Sequence, residues 1–356
     1  MRKGIFALIF LTCLGISSLS GCGRTGQEQN LGKKEQETEH GEPDDQKARQ
    51  QSPQDGNTET EHNTTGKEAD ITTPAVYMTA AISPDGLMGV YQALQASPEG
   101  KVAVKLSTGE PGSNYLRTDL IADLVQSLNA SIVECNTAYG GSRANTAMHY
   151  QVAEDHGYTE IADVDIMDED GSMILPVTGG SNLTENYVGA NFANYDYYVI
   201  LSHFKGHSMA GYGGAIKNIS IGIASAEGKG HIHSGGTGGS IWGGEQDAFL
   251  ESMAEAGKSV ADYLGGNILY INVMNRLSVD CDCDGNPAEP DMHDIGILAS
   301  FDPVALDQAC VDLVYGAEDG SSLIERIESR NGLHTLEHAE DMGLGSRQYQ
   351  LISIDE

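Results

Sequence analysis

Positive charge is what this chain has least of. Its 20 Lys and Arg stand against 52 Asp and Glu, a formal net charge of −32 over 356 residues. That balance argues against nucleic acid and against an anionic membrane surface as partners. Long apolar runs are missing as well. The run near the start, residues 5–16, is too short to span a bilayer as a helix, which takes about 20 residues. Large apolar side chains all but vanish from residues 23–70, where Glu, Gln, Asp, Lys, Thr and Gly dominate, so that stretch cannot bury enough surface to offset its ordering entropy. The chain has no Gly-x-Ser-x-Gly elbow, Walker sequence or His-Glu-x-x-His, which removes the motif-based hydrolase, nucleotide-binding and metalloprotease readings. It also lacks the Cys-x-x-Cys-x-x-Cys run of a ferredoxin-type cluster. No internal repeat is present.

What the first residues do contain is an export signal. Arg2 and Lys3 precede the apolar run, and Leu19-Ser20-Gly21-Cys22 follows it. This order resembles the lipobox of bacterial lipoproteins, which implies cleavage before Cys22 and diacylation of its sulfur. The start has no twin Arg, so the expected route threads an unfolded chain. The reading is a signal peptide at 1–21, a lipid-anchored tether at 22–72 and a domain at 73–356, attached to the membrane through Cys22 and facing outward. Cys135, Cys281, Cys283 and Cys310 remain in the domain.

Along the domain, short apolar runs alternate with amphipathic stretches. Residues 75–81, 101–107, 131–136, 164–167, 197–202, 267–273 and 295–299 read as strands, and 174–178 as a short strand in a hairpin. Residues 115–128, 145–156, 245–264, 303–315, 323–330 and 336–342 read as helices. So does the stretch after the cap Ser83, with apolar positions Leu87, Val90, Tyr91 and Leu94. The alternation predicts an α/β fold: a doubly wound, largely parallel sheet with helices on both faces, in one lobe or two.

Three clusters can carry chemistry. The first comes directly after the apolar run 197–202, at the strand end where open α/β sheets bind ligands. It holds His203, Lys205, His207, Gly211, Gly213, Gly214 and Lys217. A helix starting near Ser208 would aim free N–H groups at an anion. Straight helix from His207 to Lys217 would part them by about 15 Å, so either the glycines break it or the ligand is large. The second cluster is Lys229, His231 and His233 before the glycines of 235–239. On an extended segment, His-x-His points both rings one way, as in a metal pair. The third is Asp280-Cys281-Asp282-Cys283-Asp284, followed by Asp291, His293 and Asp294. Cys281, Cys283 and His293 would suit zinc or another soft or borderline ion, and the Asp groups alone calcium or magnesium. An acidic loop with inert or disulfide-bonded cysteines is the plain alternative. One residue apart, Cys281 and Cys283 are poorly spaced to pair with each other. The expected cofactor is therefore a metal ion of unknown identity, with zinc, nickel and iron all admitted, and the expected ligand a small anion.

Four segments together resemble one family. They are Val76-Tyr77-Met78-Thr79 with Ser83-Pro84-Asp85-Gly86-Leu87, the stretch 207–218, the cluster 280–284, and Asp294-Ile295-Gly296-Ile297-Leu298-Ala299-Ser300-Phe301-Asp302-Pro303-Val304-Ala305. The family is the uncharacterised Fe–S centre proteins, also called domain of unknown function 362. Its name implies iron–sulfur binding through inserted ferredoxin segments, and this chain has none. More distantly, the spacing of His207, Lys217 and His233 is similar to that in nickel-dependent lactate racemases. That resemblance implies a nickel-pincer nucleotide attached to Lys217, His233 as metal ligand and His207 as acid/base. Ser142, in Gly140-Gly141-Ser142-Arg143, stands where those racemases carry a second catalytic His, while Arg143 is placed to clamp a carboxylate. A chain exported unfolded would acquire any cofactor outside. The function classes left open are a metal- or cofactor-binding enzyme with redox or isomerase-like chemistry on a small anion, a non-catalytic solute- or metal-binding lipoprotein, and a racemase-like domain that has lost its cofactor.

Overall fold

The computed structural model describes residues 73–238 and 241–355. The expected signal, Cys22 and the tether lie outside the described residues. In chain order the strands are β1 (Ala75–Thr79), β2 (Val102–Lys105), β3 (Ser131–Glu134), β4 (Val164–Ile166), β5 (Ser172–Pro176), β6 (Glu185–Gly189), β7 (Tyr197–His203), β8 (Lys205–His207), β9 (Gly211–Gly213), β10 (Ile268–Met274), β11 (Gly296–Ser300) and β12 (Gln350–Ser353). The helices are α1 (Pro84–Ala93), α2 (Thr118–Ser127), α3 (Thr146–Asp155), α4 (Ala215–Ser220), α5 (Ala226–His233), α6 (Gln246–Leu264), α7 (Pro303–Gly316), α8 (Ser321–Ser329) and α9 (His334–Asp341).

Eight strands form one sheet in the order β12-β1-β11-β10-β7-β2-β3-β4, and β5–β6 and β8–β9 pair separately. Within the large sheet β11 runs antiparallel to both neighbours, and the other adjacent pairs are parallel. β7 is buried along its whole length. The pleat explains why it is apolar throughout, because alternate side chains enter two different cores. Tyr197, Val199 and Leu201 meet Leu87 and Val90 of α1 and Ile121 and Leu124 of α2. Tyr198 and Ile200 join the opposite core with Ile216 and Ile219 of α4, Ala254 of α6 and Val311 of α7. Helices therefore cover both faces, as the alternation predicts. The described residues belong to one compact unit rather than two lobes.

The short helix α4 carries Lys217, and one buried carboxylate holds it in place. Asp307 of α7 accepts the N–H groups of Ala215 (2.7 Å) and Ile216 (3.0 Å) at the start of α4, and the Asn272 amide of β10 (2.7 Å). Burial pushes its pKa up to about 6 against the pull of those donors. Gly214 comes so close to this carboxylate that a Cβ would collide with it. Asp307→Ala would leave three buried donors without an acceptor, and is expected to lower the unfolding free energy by roughly 3 kcal/mol. Gly214→Ala should cost about 1–3 kcal/mol through overpacking. Urea denaturation of both variants checks this, and wild-type stability in Asp307→Ala would refute the tie.

Candidate functional site

A cavity of about 170 Å³ lies at the carboxyl ends of β2, β3 and β7. From β2 the chain winds outward through β3 and β4, then returns to β7 on the other side of β2. Connections leave β2 and β7 in opposite directions, which opens a crevice between their ends. Asn218 of α4 bridges the two. Its amide donates to the carbonyls of Lys105 and Leu201 and to Ser202 Oγ, at 3.1–3.2 Å, and its Oδ1 accepts from Lys105 Nζ at 2.9 Å.

His207 and Lys217 both line this cavity, although no helix begins at Ser208. The chain instead turns back on itself: β8 and β9 pair antiparallel, with Lys205 opposite Gly213 and His207 opposite Gly211. Gly211 makes the reversal at φ +81°, a region where a side chain would be strained. It faces Ile327 and Gly332 and is not on the cavity wall, whereas Gly213 and Gly214 are. The reversal removes the helical separation that the spacing suggested.

The second cluster folds differently from its expectation too. Ser225 caps α5 by accepting from the Gly228 N–H at 3.1 Å, so His231 and His233 are helical rather than extended. Two residues of helix turn about 200°, and the rings diverge. His231 lies edge-on to Tyr187 at 5.2 Å, away from the cavity. His233 stacks on Phe249 at 4.6 Å and lines the cavity.

The third cluster reaches the same wall. The Gly206 N–H donates to the Ser278 carbonyl (2.9 Å), and the Val279 backbone fills the place of a Gly206 side chain. The loop after β10 thereby lies against β8, with Cys281, Asp282 and Cys283 on the cavity wall. Cys281 and Cys283 form a disulfide, contrary to the expectation from their spacing. A tight turn, with the Asp284 N–H on the Cys281 carbonyl (3.0 Å), draws their Cα atoms to 5.3 Å. His293 is not part of this group. It is exposed and paired with Asp319 at 2.8 Å, outside the cavity. A nitrogen of His207 and the sulfurs of Cys281 and Cys283 lie within 4.8 Å of one another. With the sulfurs joined, no thiolate is offered to a metal in this state.

The cavity wall carries Lys105, Lys205, Lys217, Lys229 and Arg143 against Glu134 and Asp282. Both acids are committed. Arg143 donates to Glu134 (3.2 Å), Glu110 (3.1 Å), Ser107 (3.2 Å) and Tyr139 (2.8 Å), so its guanidinium is not free to clamp a carboxylate. Burial raises the Glu134 pKa, but Arg143 and a bond from His149 (3.1 Å) outweigh it and hold it well below the ordinary range. Asp282 pairs with Lys205 and His203, and these overcome burial to keep it ionised. That leaves three ammonium groups without a carboxylate. Lys105 donates to the Leu106 carbonyl (2.8 Å) and Asn218. Lys229 donates to the Ala224 carbonyl (2.6 Å). Among the described residues, no acceptor takes Lys217 Nζ. Burial, reinforced for Lys217 by Lys105 and Lys229, brings the pKa of Lys105 and of Lys217 down to about 8. Lys105 closes the apolar run of β2 and is not among the residues expected from the sequence, although a charge ending such a run is the signal for it. Lys229 joins it from the second cluster, where the two His had drawn the metal reading.

The backbone sets opposite tautomers on the two imidazoles. His233 Nδ1 bonds the Lys229 carbonyl at 2.7 Å. A carbonyl only accepts, so Nδ1 carries the hydrogen and Nε2 the lone pair. His207 Nδ1 accepts the N–H groups of Met209 (3.2 Å) and Ala210 (3.0 Å), so its hydrogen sits on Nε2. Ser142 donates its N–H to Glu110 (2.8 Å) and does not line the cavity.

A family model, Domain of unknown function (DUF362), matches residues 102–312. No curated protein matches the chain. Among solved structures, the lactate racemase apoprotein from Thermoanaerobacterium thermosaccharolyticum is similar at 12% identity and a TM-score of 0.42, covering 67% of this chain and 56% of that one. A Thermotoga maritima protein is similar at 11% identity and a TM-score of 0.36, covering 72% and 58%. This chain thus spans less than two thirds of either.

Burial lowers the His233 pKa from 6.5 to about 4, and that of His207 well below its usual value. Both folded values are depressed, so the stability these rings contribute is present above about pH 6.5 and is lost as pH falls below it, through about 4 for His233. The expected result is a His233 imidazole NMR resonance that stays at its neutral position down to about pH 4. Titration near 6.5 would contradict its burial.

Proposed function

The chain belongs to the DUF362 family, and from that premise we propose an outward-facing, lipid-anchored protein whose α/β domain binds a small anion beside a metal-bearing cofactor. The export reading rests on the apolar run and Cys22. One observation carries the ligand reading: Lys105, Lys217 and Lys229 bring ammonium groups with no carboxylate partner into one buried cavity, in a chain of net charge −32.

The donors suit a metal-bearing group. His233 donates Nδ1–H to a backbone carbonyl and keeps Nε2 as a lone pair, the usual arrangement of a metal-ligating His. Lys217, with a pKa of about 8, is partly neutral near pH 7 and therefore nucleophilic enough to carry a covalent attachment. When bound, such a group would supply an electron-accepting centre. His207 would hold a proton at Nε2 toward the anion, and Lys105 and Lys229 would fix its charge. With Ser142 off the cavity wall, a second acid/base from that turn is lacking. The reading is therefore redox or one-sided isomerase-like chemistry rather than two-base racemisation.

The test is intact mass and metal analysis of protein purified from its own host, with calorimetry using L-lactate and inorganic phosphate. Added mass on Lys217 with bound metal supports the enzyme reading. Anion binding with bare Lys217 and no metal supports a solute receptor. In protein with bare Lys217, Lys217→Ala should weaken anion binding about tenfold, a loss of roughly 1.4 kcal/mol, and wild-type affinity should decline as Lys105 and Lys217 lose their protons near pH 8. A Lys217→Ala variant that binds as the parent does, or affinity flat from pH 6 to 10, would overturn the proposal.

A further inference from the structure

We propose that the Cys281–Cys283 bond is a thiol–disulfide exchange centre, reduced by a small dithiol, or by two monothiols, entering the cavity. This goes beyond anion binding and does not depend on it. The bridge joins residues two apart in sequence. A loop that short restrains the unfolded chain least, so the bond is a weak staple for the fold. Its position suits chemistry better. Both cysteines are partly exposed and line the cavity, while Cys135 and Cys310 are fully buried.

The surroundings favour a leaving thiolate at Cys281. The Cys283 N–H already donates to Cys281 Sγ at 3.3 Å. His207, which carries its hydrogen on Nε2, has a ring nitrogen within 4.8 Å of both sulfurs. The residue between the cysteines is anchored independently: Asp282 is paired with Lys205 and His203, and its carbonyl accepts from the Glu110 N–H at 2.7 Å. The loop thus keeps its place when the bridge opens.

In the exchange, a thiolate of the reductant attacks Cys283 Sγ. A bond forms between those sulfurs, the Cys281–Cys283 bond breaks, and Cys281 leaves with the electron pair as thiolate. The second reductant thiolate attacks its own partner sulfur in the mixed disulfide and releases Cys283. Two electrons pass from the reductant, which becomes a disulfide, and the reductant's thiol protons pass through solvent to whichever cysteine sulfurs are protonated.

The test uses the purified full-length protein under native conditions. It is incubated with dithiothreitol, alkylated and analysed by peptide mass spectrometry. Cys281 and Cys283 are expected to be alkylated together while Cys135 and Cys310 stay protected, with the far-ultraviolet circular dichroism spectrum and Tm nearly unchanged. Air or oxidised glutathione should restore the bond. In Cys281→Ser treated with oxidised glutathione, the Cys283 thiolate should displace one glutathione thiolate and hold the other as a mixed disulfide that no neighbouring thiol resolves. In His207→Leu, native-state reduction should slow by about three- to tenfold, as expected for a poorer leaving thiolate. Three results would each overturn the proposal: alkylation that appears only in urea, free thiols at both positions in aerobically purified protein, or a large fall in Tm on reduction of the wild type.

Discussion

The cavity depends on burying more positive than negative charge at one sheet edge. Two carboxylates stand on its wall, and each is already taken, Glu134 by Arg143 and His149 and Asp282 by Lys205 and His203. The remaining ammonium groups hydrogen-bond only to neutral oxygens, and Lys217 to none among the described residues. Desolvation makes such charges costly, which is why Lys105 and Lys217 titrate near 8. An anion in the cavity would relieve that cost. Outside, the acidic surface repels anions, but screening confines that repulsion to about 8 Å at physiological salt. Selection of an anion would therefore rest on the cavity itself.

This charge arrangement is held by backbone as much as by side chains. Asp307 ties the start of α4 to α7 and β10, and Asn218 joins the same helix to the ends of β2 and β7. Lys217 lies between those two anchors in sequence. The β8–β9 reversal then carries His207 back toward it, and the Gly206 approach to Val279 brings the Cys281 loop over both. Segments far apart in sequence converge because each is fastened to a strand end.

The architecture was legible because it comes from period and burial. β7 and α6 fall almost where apolar periodicity places them, and Ser83 caps α1, as read from the sequence, by accepting from the Gly86 N–H. What was not legible depends on local conformation. His-x-His reads as a pair only if extended, and α5 is helical. Cys-x-Cys reads as poorly spaced to close when extended, and a turn closes it. Arg143 looked available because Glu110 and Glu134, which hold it, lie 33 and 9 residues away. The spacing of His207 and Lys217 alone suggested separation; only the resemblance implied that they meet His233, and the hairpin that brings His207 to the cavity was not readable at all.

At the far side of the sheet, β1 governs how an anchored domain would carry load. It begins at Ala75 and is flanked by β11 on one side and β12 on the other, with Asp355 gripping Thr79 and the Ala80 N–H. A pull applied to Ala75 along the strand axis would run lengthwise along β1. Its hydrogen bonds to both flanking strands then resist in shear, all at once, instead of opening one after another like a zipper. In a domain anchored as proposed, β1 would thereby be the mechanical grip, and its strength would draw on residues 350–355.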